Sequence, residues 1–225
     1  MRNRSSLSDK NARARRAVFV DRDGVINRMF FYAEFGIVDS PANPQQFELL
    51  PGAGEAIAEL NRIGLLVIVV SNQPGIAKGK FTHVLLDAIE EKMVADIADA
   101  GGRLDAVYYC LHHPEARLQE YRSRCDCRKP EPGLLIKAAC EWSIDLTTSY
   151  VIGDGVTDIV AGRAVGASTL FVNSRKCHNC DSLVEHNVWP DYIVRDLGEA
   201  AVVIRSLEAG DKAAIQHFTL NCATL

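Results

Sequence analysis

No apolar run in the chain approaches the roughly eighteen residues that a membrane-spanning helix requires. Internal repeats and low-complexity blocks are also missing, which sets aside repeat architectures. Nor is there a strong excess of one charge: the formal net charge is −4. Its distribution is uneven, because residues 1–16 carry a net +5 and the remainder about −9. An acidic body argues against nucleic acid as the main partner, since phosphate binding leaves a basic footprint. Residues 1–16 lack the apolar segment of a secretory signal and read as a disordered, solvated basic leader. A soluble cytoplasmic monomer is the expectation.

What is present is enough for a substantial core. The 225 residues are 48% apolar, which suits one large α/β domain, expected over residues 17–207 with a weakly patterned tail at 208–225. In a reducing compartment the seven cysteines are read as metal ligands before disulfides.

Short aliphatic runs at residues 17–20, 65–70, 105–109, 149–152, 168–172 and 191–194 read as buried strands. Helical periodicity marks residues 53–63, 82–100, 134–141, 158–165 and 197–207. Residues 21–50, broken by Gly36, Pro41 and Pro44, read as loop. Strands alternating with helices predict a three-layer, Rossmann-like parallel sheet with helices on both faces. Ligands bind such sheets beyond the carboxyl ends of the strands. Polar groups gather at four of those ends: Asp21 and Asp23, Ser71 and Asn72, a cysteine-rich loop, and Asp154.

Each group has a use in phosphate chemistry. If the first strand continues through Asp21 and Asp23, both point to one side. Two carboxylates so close repel unless a cation lies between them. Magnesium shared by Asp21, Asp23 and Asp154 answers that need with hard oxygen ligands. Asp21 is then the candidate nucleophile and Asp23 the general acid and base. Ser71 can donate to a phosphate oxygen, and Asn72 can orient nucleophile or substrate. Lys129 offers a point charge for the phosphoryl oxygens, and Arg128 a planar fork for a second oxygen cluster. Asp158 reads as a helix-start group or as one that supports the ligands from behind, rather than as a ligand. An Asp-rich turn, a polar strand end and a solvated basic turn are the plain alternatives, and convergence at one sheet edge tells against them.

Cys110, His112, Cys125 and Cys127 have the spacing of a closed metal clip, and these donors suit structural zinc. His113 is the competing imidazole, but His112 shares its side of an extended segment with Cys110. Cys177 and Cys180 form a lone pair, read as an incidental surface loop.

Together the motifs resemble the haloacid dehalogenase superfamily of phosphatases. The run from Asp21 to Asn27, Ser71-Asn72, Lys129 and the run from Gly153 to Asp158 match its four motifs in order. The clip followed by Cys127-Arg128-Lys129-Pro130 is similar to the zinc-loop members, which act on a heptose bisphosphate or on histidinol phosphate. The resemblance implies a fold without a large cap, catalytic magnesium, structural zinc and an aspartyl-phosphate intermediate. It further implies that Ser71 and Lys129 steady the transferring phosphoryl group and that Arg128 recognises substrate. The expected partner is a small phosphorylated metabolite, a sugar bisphosphate first. A zinc-stabilised nucleic-acid-binding protein is the rival from another class.

Overall fold

The computed structural model describes residues 14–172, 183–211 and 213–218. Its centre is β1 (Ala17–Val20), four buried residues that pair in parallel with β4 (Leu66–Asn72) and β6 (Tyr150–Gly153) on either side. Beyond β4 lies β5 (Ala106–Cys110); beyond β6 lie β7 (Ser168–Val172) and β8 (Tyr192–Val194). The six strands run in the order β5-β4-β1-β6-β7-β8. The chain therefore builds outward from β1 in one direction and then returns to build in the other. The order reverses between β1 and β6, and a crevice opens there at the carboxyl ends.

Side chains alternate along the strands, and each face is covered. Val18, Val20, Val67 and Val69 pack against α1 (Ala53–Arg62), α2 (His83–Asp99) and α5 (Leu197–Glu208). Phe19, Ile68, Val70 and Val151 pack against α3 (Gly133–Trp142) and α4 (Val156–Ala164). Covering both faces is why these strands are apolar throughout. Each fully buried aliphatic side chain contributes about 1.5–3 kcal/mol. Helix α4 lies close on the sheet because Gly162 has no side chain: a Cβ there would sit 2.7 Å from Thr169 Cγ2 and 3.0 Å from Val151 Cβ.

Two short strands, β2 (Phe30–Tyr32) and β3 (Ile37–Asp39), form an antiparallel hairpin inside the segment expected to be loop. Three-residue strands with largely exposed side chains carry no burial periodicity, so the hairpin left no signature. Strand β4 also runs two residues further than expected and carries Ser71 and Asn72 within it. At the termini the body is larger than the pattern suggested. Arg15 bridges to Ile144, and Arg16 pairs with Glu208 at 2.6 Å. Ile215, in the expected tail, is buried in the core beside α5. Residues 1–13, Cys177, Cys180 and Cys222 lie outside the described residues. Among the described residues no helix is long and apolar enough to cross a membrane.

Ile68, with no exposed surface, sits in the middle of the central sheet. Ile68→Ala should lower the unfolding free energy by about 2–5 kcal/mol, measured by urea titration, without changing the helical circular dichroism of the folded protein.

Candidate active site

β1 ends at Val20, one residue short of Asp21. The Asp21 backbone N–H still donates to Ile152 O at 2.9 Å, so β6 fixes its position. The chain then turns: Arg22 O accepts from the N–H groups of Ile26 at 2.8 Å and Asn27 at 3.1 Å. Gly24 makes the turn with φ +87°, and its Cα lies against the Asp154 carboxylate. A Cβ at that position would stand 2.3 Å from Asp154 Oδ2. A side chain is thus barred twice, by backbone angle and by contact.

The turn and β6 bring Asp21, Asp154 and Asp158 together, with one carboxylate oxygen of each inside a 4.8 Å group. Lys129 enters from the loop before α3. Its buried ammonium donates to Asp21 Oδ1 at 3.0 Å, Asp158 Oδ1 at 2.5 Å and Val70 O at 2.7 Å, which uses its three protons. Burial pulls this lysine toward the neutral form, yet Asp158 and Asp21 outweigh it and hold the pKa above the ordinary value. Burial pushes Asp158 up; Lys129 opposes, and the neighbouring carboxylates of Asp21 and Asp154 add to the push. Asp158 does serve the helix start as expected, accepting from Gly155 N–H at 3.1 Å. It also belongs to the carboxylate group, beside Asp21 and Asp154.

Asp23 stands elsewhere. Because the strand stops before Asp21, the shared-side argument fails, and the Asp23 carboxylate lies outside the group of three. Arg22 grips it with Nε and Nη2 at 3.0–3.2 Å. Asn27 Nδ2 donates at 3.0 Å, Ser40 Oγ at 2.9 Å and Gln73 Nε2 at 2.6 Å. Burial alone would raise Asp23, but Arg22 first, then Asn27, Gln73 and Ser40, hold it below the usual carboxylate range. Gln73 also accepts from Arg22 Nη2 at 3.0 Å and donates to Ser71 Oγ at 3.2 Å. Sequence reasoning assigned no role to Arg22, Gln73, Asn27 or Ser40. Arg22 and Asn27 lie within the first motif and Gln73 directly follows the second, which is the signal that could have found them; Ser40 carries none.

Asn72 is half-buried at the end of β4. Its side-chain amide accepts from Lys129 N–H at 3.1 Å and donates to Lys129 O at 3.0 Å, so it pins the backbone that presents the lysine. Arg128 Nη1 donates to His112 O at 3.3 Å, which ties it to the cysteine loop.

That loop gathers Cys110, His112, Cys125 and Cys127 as expected. Cys127 Sγ lies 3.3 Å from Cys110 Sγ and 3.2 Å from Cys125 Sγ, and His112 Nδ1 lies 3.4 Å from Cys127 Sγ. A tetrahedron with arms of about 2.3 Å has edges of about 3.8 Å, close to these separations, so the four donors fit a single zinc ion. His113 instead accepts from Glu115 N–H at 3.1 Å. Burial raises the Cys110 and Cys127 thiols, so binding a metal here would expel protons.

The described geometry has counterparts. A model of the HAD-hydrolase-like family matches residues 126–200. The chain is 41% identical over 153 residues to D-glycero-beta-D-manno-heptose-1,7-bisphosphate 7-phosphatase of Escherichia coli (strain K12), covering 68% of this chain and 76% of that one. The enzyme of that name from Pasteurella multocida (strain Pm70) is 35% identical over 196 residues, covering 87% and 100%. The chain belongs to the haloacid dehalogenase-like phosphatases.

Among solved structures, D,D-heptose 1,7-bisphosphate phosphatase from B. bronchiseptica, complexed with magnesium and phosphate, superposes with TM-score 0.71. It is 28% identical, and the match covers 85% of this chain and 99% of that one. The expected capless α/β architecture therefore stands. In this phosphatase a cleft of about 560 Å³ opens beside Asp154 and Gly24, with Arg28 and Arg195 on its walls. That is within the size range of small-ligand pockets.

Arg22 is fully buried and Asp23 nearly so. Arg22→Met leaves a buried carboxylate without its cation and should cost about 3–5 kcal/mol at neutral pH. Asp23 titrates below its ordinary value when folded, so the pair stabilises fully above about pH 4 and ceases to do so as pH falls through the depressed folded value. Urea midpoints of wild type and variant should therefore converge on acidification.

Proposed function

We propose that this phosphatase is magnesium-dependent and removes the 7-phosphate of D-glycero-D-manno-heptose 1,7-bisphosphate through an aspartyl-phosphate intermediate. The observation that carries the reading is Asp21 at the sheet's switch point, gripped by buried Lys129, in a chain 41% identical over 153 residues to an enzyme of that name. Asp21 attacks phosphorus, forming a new P–O bond as the bond to the sugar oxygen breaks. The proton of the Asp23 carboxyl goes to that leaving oxygen. Water then gives a proton to the Asp23 carboxylate and attacks phosphorus, which frees Asp21 and releases inorganic phosphate. At rest Asp23 is held ionised, ready for the second half. The arriving phosphate, a like charge nearby, favours its protonation for the first.

Lys129 neutralises charge on the phosphoryl oxygens, whose share of charge grows in the transition state. Ser71, nearly buried at the end of β4, donates to the same oxygens, while Asn72 holds Lys129 in register. Arg128, tied to the cysteine loop, meets the second phosphate. One lysine against three carboxylates leaves an excess of negative oxygen, and that donor set fits magnesium held by Asp21 and Asp154, with Asp158 in reach. Bound there, the ion supplies positive charge against the phosphoryl oxygens. Cys110, His112, Cys125 and Cys127 would hold zinc with no open position, and the ion would stiffen the loop that presents Arg128 and Lys129.

Phosphate release from the β-anomer of the heptose bisphosphate, with magnesium, tests the reading beside histidinol phosphate. Wild type should prefer the bisphosphate, and Asp21→Asn should lose at least about a thousandfold in kcat. Preference for histidinol phosphate would keep the mechanism and overturn the substrate. No turnover on any phosphomonoester would sink both. For the clip, elemental analysis should find one zinc per chain in wild type, lost in Cys127→Ser together with activity.

A further inference from the structure

The Asp23 carboxylate is saturated with hydrogen bonds, and the source of each one matters. Arg22 and Asn27 belong to Asp23's own turn, and Gln73 follows β4; all three are fully buried. Ser40 is different. It comes from the chain leaving the β2–β3 hairpin, 17 residues away, and is half-buried. Its hydroxyl donates to Asp23 Oδ2 at 2.9 Å. It is also the one partner of the four whose contacting group can accept as well as donate: Arg22 Nε and Nη2, Asn27 Nδ2 and Gln73 Nε2 only donate. The hydroxyl can therefore keep its contact in either half of a proton transfer.

The hairpin fixes that hydroxyl. Tyr32 Oη donates to Ser40 O at 2.9 Å, and Ser40 N–H donates to Asp39 Oδ1 at 2.8 Å. Asp39 is in turn paired with Lys80. These anchors hold the base of the hairpin, while Phe35 at its tip is 71% exposed.

We propose that Ser40 is a positioning residue for the leaving-group step, holding the Asp23 carboxyl in the rotation that delivers its proton to the departing oxygen. The inference rests on the phosphatase reading of Asp21 and Asp23 and adds to it: the residue that follows the hairpin becomes part of the acid-base apparatus. A rotated Asp23 matters most when the leaving group is a poor one. An alkoxide needs the proton, whereas para-nitrophenolate departs without it.

The test compares kcat/KM for an alkyl phosphomonoester and for para-nitrophenyl phosphate, in magnesium, for wild type, Ser40→Ala and Ser40→Thr. Because kcat/KM reports phosphoryl transfer to Asp21, the later hydrolysis does not obscure it. Ser40→Ala should lose about tenfold or more on the alkyl ester and less than about threefold on the aryl ester, a fraction of the full general-acid effect. Ser40→Thr, which keeps the hydroxyl, should restore the alkyl rate. An equal fall on both esters, or no fall on either, would overturn the proposal while leaving the mechanism intact. Wild type inert toward both esters would overturn instead the reading on which it rests.

Discussion

The Lys129 ammonium is the contact on which the rest of the site depends. Three carboxylates meet at the reversal of the sheet, and burying Asp158 among them without a cation would cost several kcal/mol. Lys129 meets that demand with all three of its protons, two to carboxylates and one to the carbonyl of Val70 at the heart of β4. The carbonyl makes the arrangement specific, because it ties the charge to the backbone of a central strand. Asn72 then clamps the Lys129 backbone, so both ends of the residue are held by the same strand.

A second buried pair, Arg22 with Asp23, lies beside the first and does different work. In the sequence Asp21 and Asp23 look like one feature. In space the turn after Val20 sends Asp21 toward Lys129 and Asp23 toward Arg22 and Gln73. Two carboxylates two residues apart thus acquire unlike surroundings, one facing other acids and one gripped by a guanidinium. Separating the environments of paired acids is how a fold divides nucleophilic from acid-base labour. The cysteine loop works at longer range: it contains Arg128 and leads directly into Lys129, so closing it with metal would limit where both cations can travel.

How much of this was legible follows from what each feature depends on. The strands and helices of the sheet were readable within one or two residues, because a core buried on both faces demands continuous aliphatic runs. The hairpin was not, since Phe30–Tyr32 and Ile37–Asp39 are short and largely exposed, and such strands impose no pattern. The four clip residues were readable from spacing alone, as two donors two apart share a side of an extended chain. The shared orientation of Asp21 and Asp23 was not legible, because it depended on a strand continuing through both, and β1 stops at Val20.

By itself, then, the sequence determined which chemical groups are available and which strand ends carry them: an acid pair after β1, Ser-Asn at the end of β4, thiols after β5 and another acid after β6. Local pattern suffices for that, since strand ends and turns are written in neighbouring residues. Only the tertiary structure decided which group meets which. Ser40 and Gln73 reach Asp23 from 17 and 50 residues away, and Lys129 reaches Asp158 across 29. Such pairings depend on sheet register and on where each turn leaves its strand, quantities that no window of sequence contains.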